Sequence, residues 1–204
     1  MPNVFVTGMT GTGKSYAIQS ILKDIDKQII GVSNKEEDLI QLEELTGRDF
    51  IKVVVNNKTR LKDLPDKDVF FIFGFMTHNE RIKFMDDLAT LVYTKKKNVI
   101  LYVDEAHDVL PESKNRSKML ESLIAGSRVK KIDVILITQR PQTLLKSALN
   151  NTVYRMCFKL TEDNSVKSMV KHLEKVTADD IKNLEKYEFI LYNAYTGEIR
   201  KNKL

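Results

Sequence analysis

Apolar residues follow two rhythms along this chain. Short, nearly continuous runs alternate with stretches in which apolar side chains recur every three or four positions, the marks of buried strands and amphipathic helices. The continuous runs are Asn3–Thr7, Gln28–Val32, Phe50–Val55, Val69–Phe73, Asn98–Val103, Asp133–Thr138 and Val153–Lys159. Between them, helical faces are predicted from Ala17, Ile18, Ile21, Leu22 and Ile25; from Leu39, Ile40, Leu42 and Leu45; from Ile82, Met85, Leu88, Ala89 and Val92; and from Met119, Leu120, Leu123 and Ile124. Ser33-x-x-Glu36 and Thr77-x-x-Glu80 have the form of capping boxes, and Thr177-x-x-Asp180 opens another helix. Leu144–Leu149 suggests a short helix and Thr161–His172 a longer one. Strands alternating with helices, several apolar enough to be buried on both faces, predict an α/β fold with a mainly parallel sheet flanked by helices. The chain closes on two strand patterns, Tyr187–Tyr192 and Glu198–Lys203, joined near Thr196-Gly197, which predict a β-hairpin.

The tips of three predicted strands carry the chemistry. After the first comes Gly8-Met9-Thr10-Gly11-Thr12-Gly13-Lys14-Ser15, which satisfies the P-loop pattern G-x-x-x-x-G-K-[ST]. Its glycines let successive backbone N–H groups turn toward phosphate oxygens at a helix N-terminus. Lys14 supplies a cation for the β- and γ-phosphates, and the Ser15 hydroxyl is a hard ligand for Mg²⁺. Thr10, Gly11, Thr12, Gly13, Lys14, Ser15 and Tyr16 form the expected nucleotide-binding set. After the fifth apolar run stand Asp104 and Glu105, at the strand end where open α/β sheets hold ligands. Asp104 fits a Walker B metal ligand, and Glu105 a general base that polarises an attacking water. The sixth run ends in Gln139-Arg140-Pro141, which makes Gln139 a candidate sensor of the terminal phosphate.

Composition narrows the class further. With 204 residues, 42% hydrophobic and 30% charged, the chain suits one α/β domain spanning 1–204, with no internal repeat, linker or low-complexity tract. No apolar run is long enough for a membrane span, and the first residues lack a signal-peptide pattern, so a cytoplasmic protein is expected. The single cysteine, Cys157, falls in an apolar strand pattern and is expected to be a buried structural thiol. His78 is expected at the surface, and no Cys/His set has zinc-site spacing. The net charge of +5 mildly favours a polyanionic partner. Lys95-Lys96-Lys97, the densest basic run, closes a predicted helix, where cations suit the dipole.

Taken in order, the P-loop, Val103-Asp104-Glu105-Ala106-His107 and Ile137-Thr138-Gln139-Arg140-Pro141 resemble the FtsK/HerA superfamily of P-loop DNA translocases. These are RecA-like ATPases of the additional-strand, catalytic-glutamate type. The compact form is similar to the genome-packaging ATPases of internal-membrane icosahedral viruses, a group that includes those of archaeal turreted icosahedral viruses. The resemblance spans Asn3 to about Phe158. It implies an ATPase that uses ATP and Mg²⁺, acts on double-stranded DNA as a homo-oligomeric ring, and docks to capsid, portal or membrane proteins. It implies that an arginine reaches the neighbouring subunit's nucleotide, and Ala125–Lys130 resembles the stretch that carries it; Arg128 is the candidate, with Arg116 and Arg140 as substitutes. The segment His107–Lys118, with Lys114, Arg116 and Lys118, is expected to face the ring pore.

Three other readings compete. Asp104-Glu105-Ala106-His107 spells the DEAH box of RNA helicases, but those need two RecA-like domains. A small-metabolite P-loop kinase fits the length, although a glutamate beside the Walker B aspartate favours water attack. A nucleotide-gated assembly switch would use the same site without performing transport.

Overall fold

The computed structural model describes residues 3–204, and its nine strands form one sheet. The strands are β1 Val4–Thr7, β2 Gln28–Ser33, β3 Ile51–Val55, β4 Val69–Phe73, β5 Val99–Val103, β6 Asp133–Thr138, β7 Tyr154–Phe158, β8 Glu188–Asn193 and β9 Glu198–Lys203. They lie in the order β3-β4-β2-β5-β6-β1-β7-β8-β9. The first seven in that order run parallel, and the predicted hairpin β8–β9 adds antiparallel to β7.

Helices are α1 Lys14–Leu22, α2 Glu36–Thr46, α3 His78–Lys95, α4 Lys118–Gly126, α5 Lys146–Asn150, α6 Asp163–Leu173 and α7 Ala178–Lys182. They cover both faces, which explains the unbroken apolar strands. On β1, Val4 and Val6 pack with Ala17, Ile18 and Leu22 of α1 and Leu39 and Leu42 of α2, while Phe5 points to the opposite layer. On β5, Ile100 and Tyr102 join the first layer, whereas Val99, Leu101 and Val103 meet Met85, Leu88, Ala89 and Val92 of α3 and Leu120, Leu123 and Ile124 of α4. Two cores thus arise from the period-two alternation of the same strands. Cys157 is fully buried in β7, and burial pushes its thiol well up, away from reactivity.

Local signals hold in most places. Thr77 and Glu80 form the expected reciprocal cap on α3, and Thr177 and Asp180 do so on α7. His78 is exposed, and Lys96 turns inward to Asp66 at 2.7 Å. The Ser33-x-x-Glu36 box does not form. β2 extends through Ser33, which pairs with Ile72 of β4, so the chain enters α2 at Lys35 without a side-chain cap. Glu36, Glu37 and Asp38 in the first turn complement the helix dipole instead. Ile21 and Ile40, expected on buried faces, are exposed, because single-layer contact with the sheet covers only a narrow stripe of each helix.

The strand order places the chemistry. β6 lies between β5 and β1, so the segment leaving its C-terminal end must sit between the P-loop and the acidic pair. Register holds the tips level: Thr7 is opposite Thr138, and Val103 opposite Leu136.

Candidate functional site

The P-loop leaves β1 through Gly8, whose φ is +155°; a Cβ there would come within 2.5 Å of Phe158 Cβ, so a side chain is excluded. Thr12 Oγ1 donates to the Met9 carbonyl at 2.7 Å and closes the loop on itself. Gly13 starts α1 in the left-handed region, at φ +105°. Lys14 is 8% exposed and donates from Nζ to the Met9 carbonyl at 2.7 Å. Burial lowers its pKa, against the opposing pull of Glu105 and Asp104. A polyanion in the loop would give this cation a better partner than a neutral carbonyl.

Across the strand tips, one hydrogen-bonded line joins three segments. Thr10 Oγ1 donates to Gln139 Oε1 at 2.8 Å, and Gln139 Nε2 donates to Glu105 Oε1 at 2.7 Å. Glu105 sits at φ 46°, ψ 47°, a left-handed conformation rare for a residue with a side chain and a mark of sites where position outweighs backbone comfort. Its Oε2 is buried without a hydrogen bond, 3.4 Å from His107 Nδ1. Burial pushes the Glu105 carboxyl up, but the adjacent His107 imidazole, with the Gln139 backbone, outweighs it and holds it below the usual glutamate value. Glu105 is therefore anionic at neutral pH and able to take a proton.

Sequence reasoning missed two contributors beside this line. His107 Nδ1 lies 2.9 Å from Thr138 Oγ1, and its Nε2 lies 3.4 Å from Asp108, so the imidazole props the glutamate from behind. Asp38 of α2 hydrogen-bonds Asp104; burial first, then Asp38, then Glu105 push the Asp104 carboxyl up to about 8. Two half-buried carboxylates thus face each other, and the pull of Lys14 does not offset their mutual repulsion and burial at Asp104. Tyr102, fully buried, turns its hydroxyl toward Ser15 without completing a hydrogen bond. Hard oxygens from Ser15, Asp104 and Asp38 suit a small divalent cation. Among the described residues no cluster of three or more His, Cys, Asp and Glu could hold a metal alone, so phosphates and water would have to complete its shell.

A cavity of about 530 Å³ opens beside the P-loop, lined by Gly11, Gly13, Lys14, Ser15 and Tyr16, and by Gln41, Tyr187 and Leu204. That volume lies within the range of small-molecule sites.

Arg128 does not join this constellation. It lies on the short turn Ser127–Lys130 before β6, exposed, with its guanidinium 5.1 Å from the Tyr195 ring centroid. It shares a cavity with Asn3 and Asp133, at the opposite end of the strands from the P-loop. Arg116 is engaged with Glu121 at 2.9 Å and with the Ser113 carbonyl, while Lys114 and Lys118 are exposed. Arg140 is exposed one residue beyond Gln139, on the site's own edge. Among the described residues no helix is long and apolar enough to cross a membrane.

Comparison with known proteins gives concordant results. The DNA packaging ATPase P9 of Enterobacteria phage PRD1 is 24% identical over 207 residues, covering 95% of this chain and 84% of that protein. The genome packaging NTPase B204 of Sulfolobus turreted icosahedral virus 2, solved with ATP-gammaS, superposes with a TM-score of 0.75 at 22% identity, covering 99% of this chain and 97% of that one. VirB4 of Thermoanaerobacter pseudethanolicus shares the fold at a TM-score of 0.73 and 10% identity, covering 99% of this chain and 89% of that one. The resemblance read from the motifs, to packaging ATPases of icosahedral viruses, is thus met among these relatives. A family model described as an AAA domain matches residues 2–146, from the P-loop strand through the sensor segment, and the chain belongs to that family.

Proposed function

We propose that this chain is an ATP-hydrolysing motor that packages double-stranded DNA into a viral capsid, acting through residues 1–204 as one P-loop ATPase domain. The observation that carries this reading is the line Thr10–Gln139–Glu105, which ties the phosphate loop, the sensor and the general base into one unit. The names of two relatives, a DNA packaging ATPase and a genome packaging NTPase, supply the direction.

In the proposed cycle, ATP phosphates occupy the loop from Thr10 to Tyr16 and draw Lys14 from the Met9 carbonyl. Mg²⁺, held by Ser15 and Asp104, would neutralise phosphate charge. Glu105 accepts a proton from the attacking water, while Gln139 fixes the carboxylate and senses whether the terminal phosphate is present. Arg128 acts on the nucleotide of a neighbouring subunit in a homo-oligomeric ring, and its exposure far from its own site is compatible with that role. Work is done in the host cytoplasm against a capsid or portal partner.

The test is ATPase activity with and without double-stranded DNA, on wild type and Glu105→Gln. Stimulation of wild type, with Glu105→Gln binding ATP but turning it over about a hundredfold or more slowly, is expected. Turnover indifferent to DNA would reduce the proposal to a nucleotide-gated switch, and phosphate transfer to a small acceptor would make the protein a kinase.

A further inference from the structure

The C-terminal hairpin lies directly against the phosphate loop. A Cβ on Gly13 would meet Cδ1 of Tyr187 and Cδ1 of Leu204, each at 2.9 Å. Tyr187 precedes β8 and Leu204 follows β9, and the Leu204 N–H donates to the Tyr187 carbonyl at 3.0 Å, which pins the open end of the hairpin. Tyr187 holds φ 68°, a left-handed conformation costly for an aromatic residue. The Lys186 ammonium stands 4.9 Å from its ring centroid and covers one face. Lys186 does not line the cavity, whereas Tyr187 does. Tyr16, Tyr187 and Leu204 are 45%, 41% and 44% exposed, three large apolar side chains lining one cavity that begins at the phosphate loop. Gln41 of α2 adds an amide, both donor and acceptor, to the same wall.

We propose that Tyr187 and Leu204, with Tyr16 and Gln41, form the nucleobase subsite, in which the base of a nucleoside triphosphate stacks on the Tyr187 ring and Leu204 closes the edge. The inference rests on reading the P-loop as the triphosphate site. It assigns the hairpin a binding role that the strand-tip motifs do not touch. The physical reason is economical: phosphates would anchor at the amides of Gly11 to Ser15, and the hairpin base and Tyr16 supply apolar surface in the same cavity. A π-face accepts any base, so the subsite supplies affinity more than base identity.

The experiment compares binding of ATP and of inorganic tripolyphosphate to wild type, Tyr187→Phe and Tyr187→Gly by calorimetry. Glycine adopts the left-handed backbone freely, so the second variant removes the ring without straining the hairpin. Loss of a stacking partner should weaken ATP by roughly 5- to 150-fold in Tyr187→Gly. Tripolyphosphate affinity should stay within about twofold, and Tyr187→Phe should keep ATP affinity within about threefold. Unchanged ATP affinity in Tyr187→Gly would overturn the subsite, and so would equal loss of both ligands, which would make Tyr187 a prop for the loop. Wild-type protein binding neither ligand would overturn the triphosphate-site reading beneath it, and the subsite with it.

Discussion

Replacing Gln139 by alanine is the sharpest perturbation of the catalytic line. Its amide donates at 2.7 Å to Glu105 Oε1 and accepts at 2.8 Å from Thr10 Oγ1, so one side chain bridges two motifs. Glu105 already has one buried oxygen without a hydrogen bond. The variant removes the side-chain donor to Oε1 and leaves only the backbone of residue 139 and the nearby His107, inside a pocket whose burial disfavours the anion. A hydrogen bond to a charged group is worth about 1.5–3 kcal/mol, which corresponds to roughly 10- to 150-fold in rate if the bond persists to the transition state. The sign on pH follows from the same bond. A donor to the carboxylate favours the charged form, so its removal raises the Glu105 pKa and moves the acidic limb of kcat to higher pH. Steady-state ATPase at saturating ATP across pH, together with fluorescent-nucleotide binding, separates chemistry from affinity. The expected pattern is a lower kcat, an upward-shifted acidic limb and ATP affinity within about threefold of wild type. A kcat within about threefold, with the limb unmoved, would refute the claim that Gln139 holds the base.

The remaining predictions address other parts of the molecule. Lys14→Ala should abolish ATP binding without lowering Tm, because it removes a desolvated cation whose partners are a neutral carbonyl and distant carboxylates; a marked loss of stability would show that the Lys14–Met9 bond is structural. In metal-free and nucleotide-free protein, the Asp104 carboxyl is raised from 3.8 to about 8, so the folded state holds a proton that the unfolded chain releases. That contribution is fully present below about 3.8 and falls away as pH rises to about 8; denaturant titrations should show a flatter slope across this window in Asp104→Asn, and an equal slope would contradict the assignment. Thr77→Ala, which removes the hydroxyl that accepts from the Glu80 N–H while keeping the Thr77 N–H bond to the Glu80 carboxylate, should cost about 0.5–2 kcal/mol and leave kcat untouched. Arg128→Ala should lose the rise of specific ATPase activity with protein concentration, and full activity at high concentration would remove Arg128 from the neighbour's site.

Much of the site was legible because its chemistry is local. The turn from Gly8 to Ser15, the acidic pair after β5 and Gln139 after β6 each carry their own strand-tip signal, and parallel strands bring such tips to one edge. What escaped came from contacts across the chain. Asp38 meets Asp104 only because β2 lies beside β5, which sets the start of α2 over the acidic pair, and nothing in the local pattern of α2 marks it. Tyr187 and Leu204 reach Gly13 because β8 runs antiparallel to β7 and so starts at the P-loop end, to which β9 returns. The Ser33 box failed where a strand ladder competed with a helix cap for the same residue, and the ladder won. Arg128 rested on resemblance alone, and its surroundings in one chain neither recruit it to the site nor give it a buried partner.

The central claim is that three strand tips converge on the terminal phosphate of one ATP. A crystal structure with a non-hydrolysable ATP analogue and Mg²⁺ tests it most directly. The account predicts Lys14 Nζ moved from the Met9 carbonyl onto the β- and γ-phosphates, Gln139 in contact with the γ-phosphate or its water, and Glu105 one water away from it. Lys14 still bonded to Met9, with Glu105 and Gln139 out of reach of the nucleotide in every subunit, would contradict it.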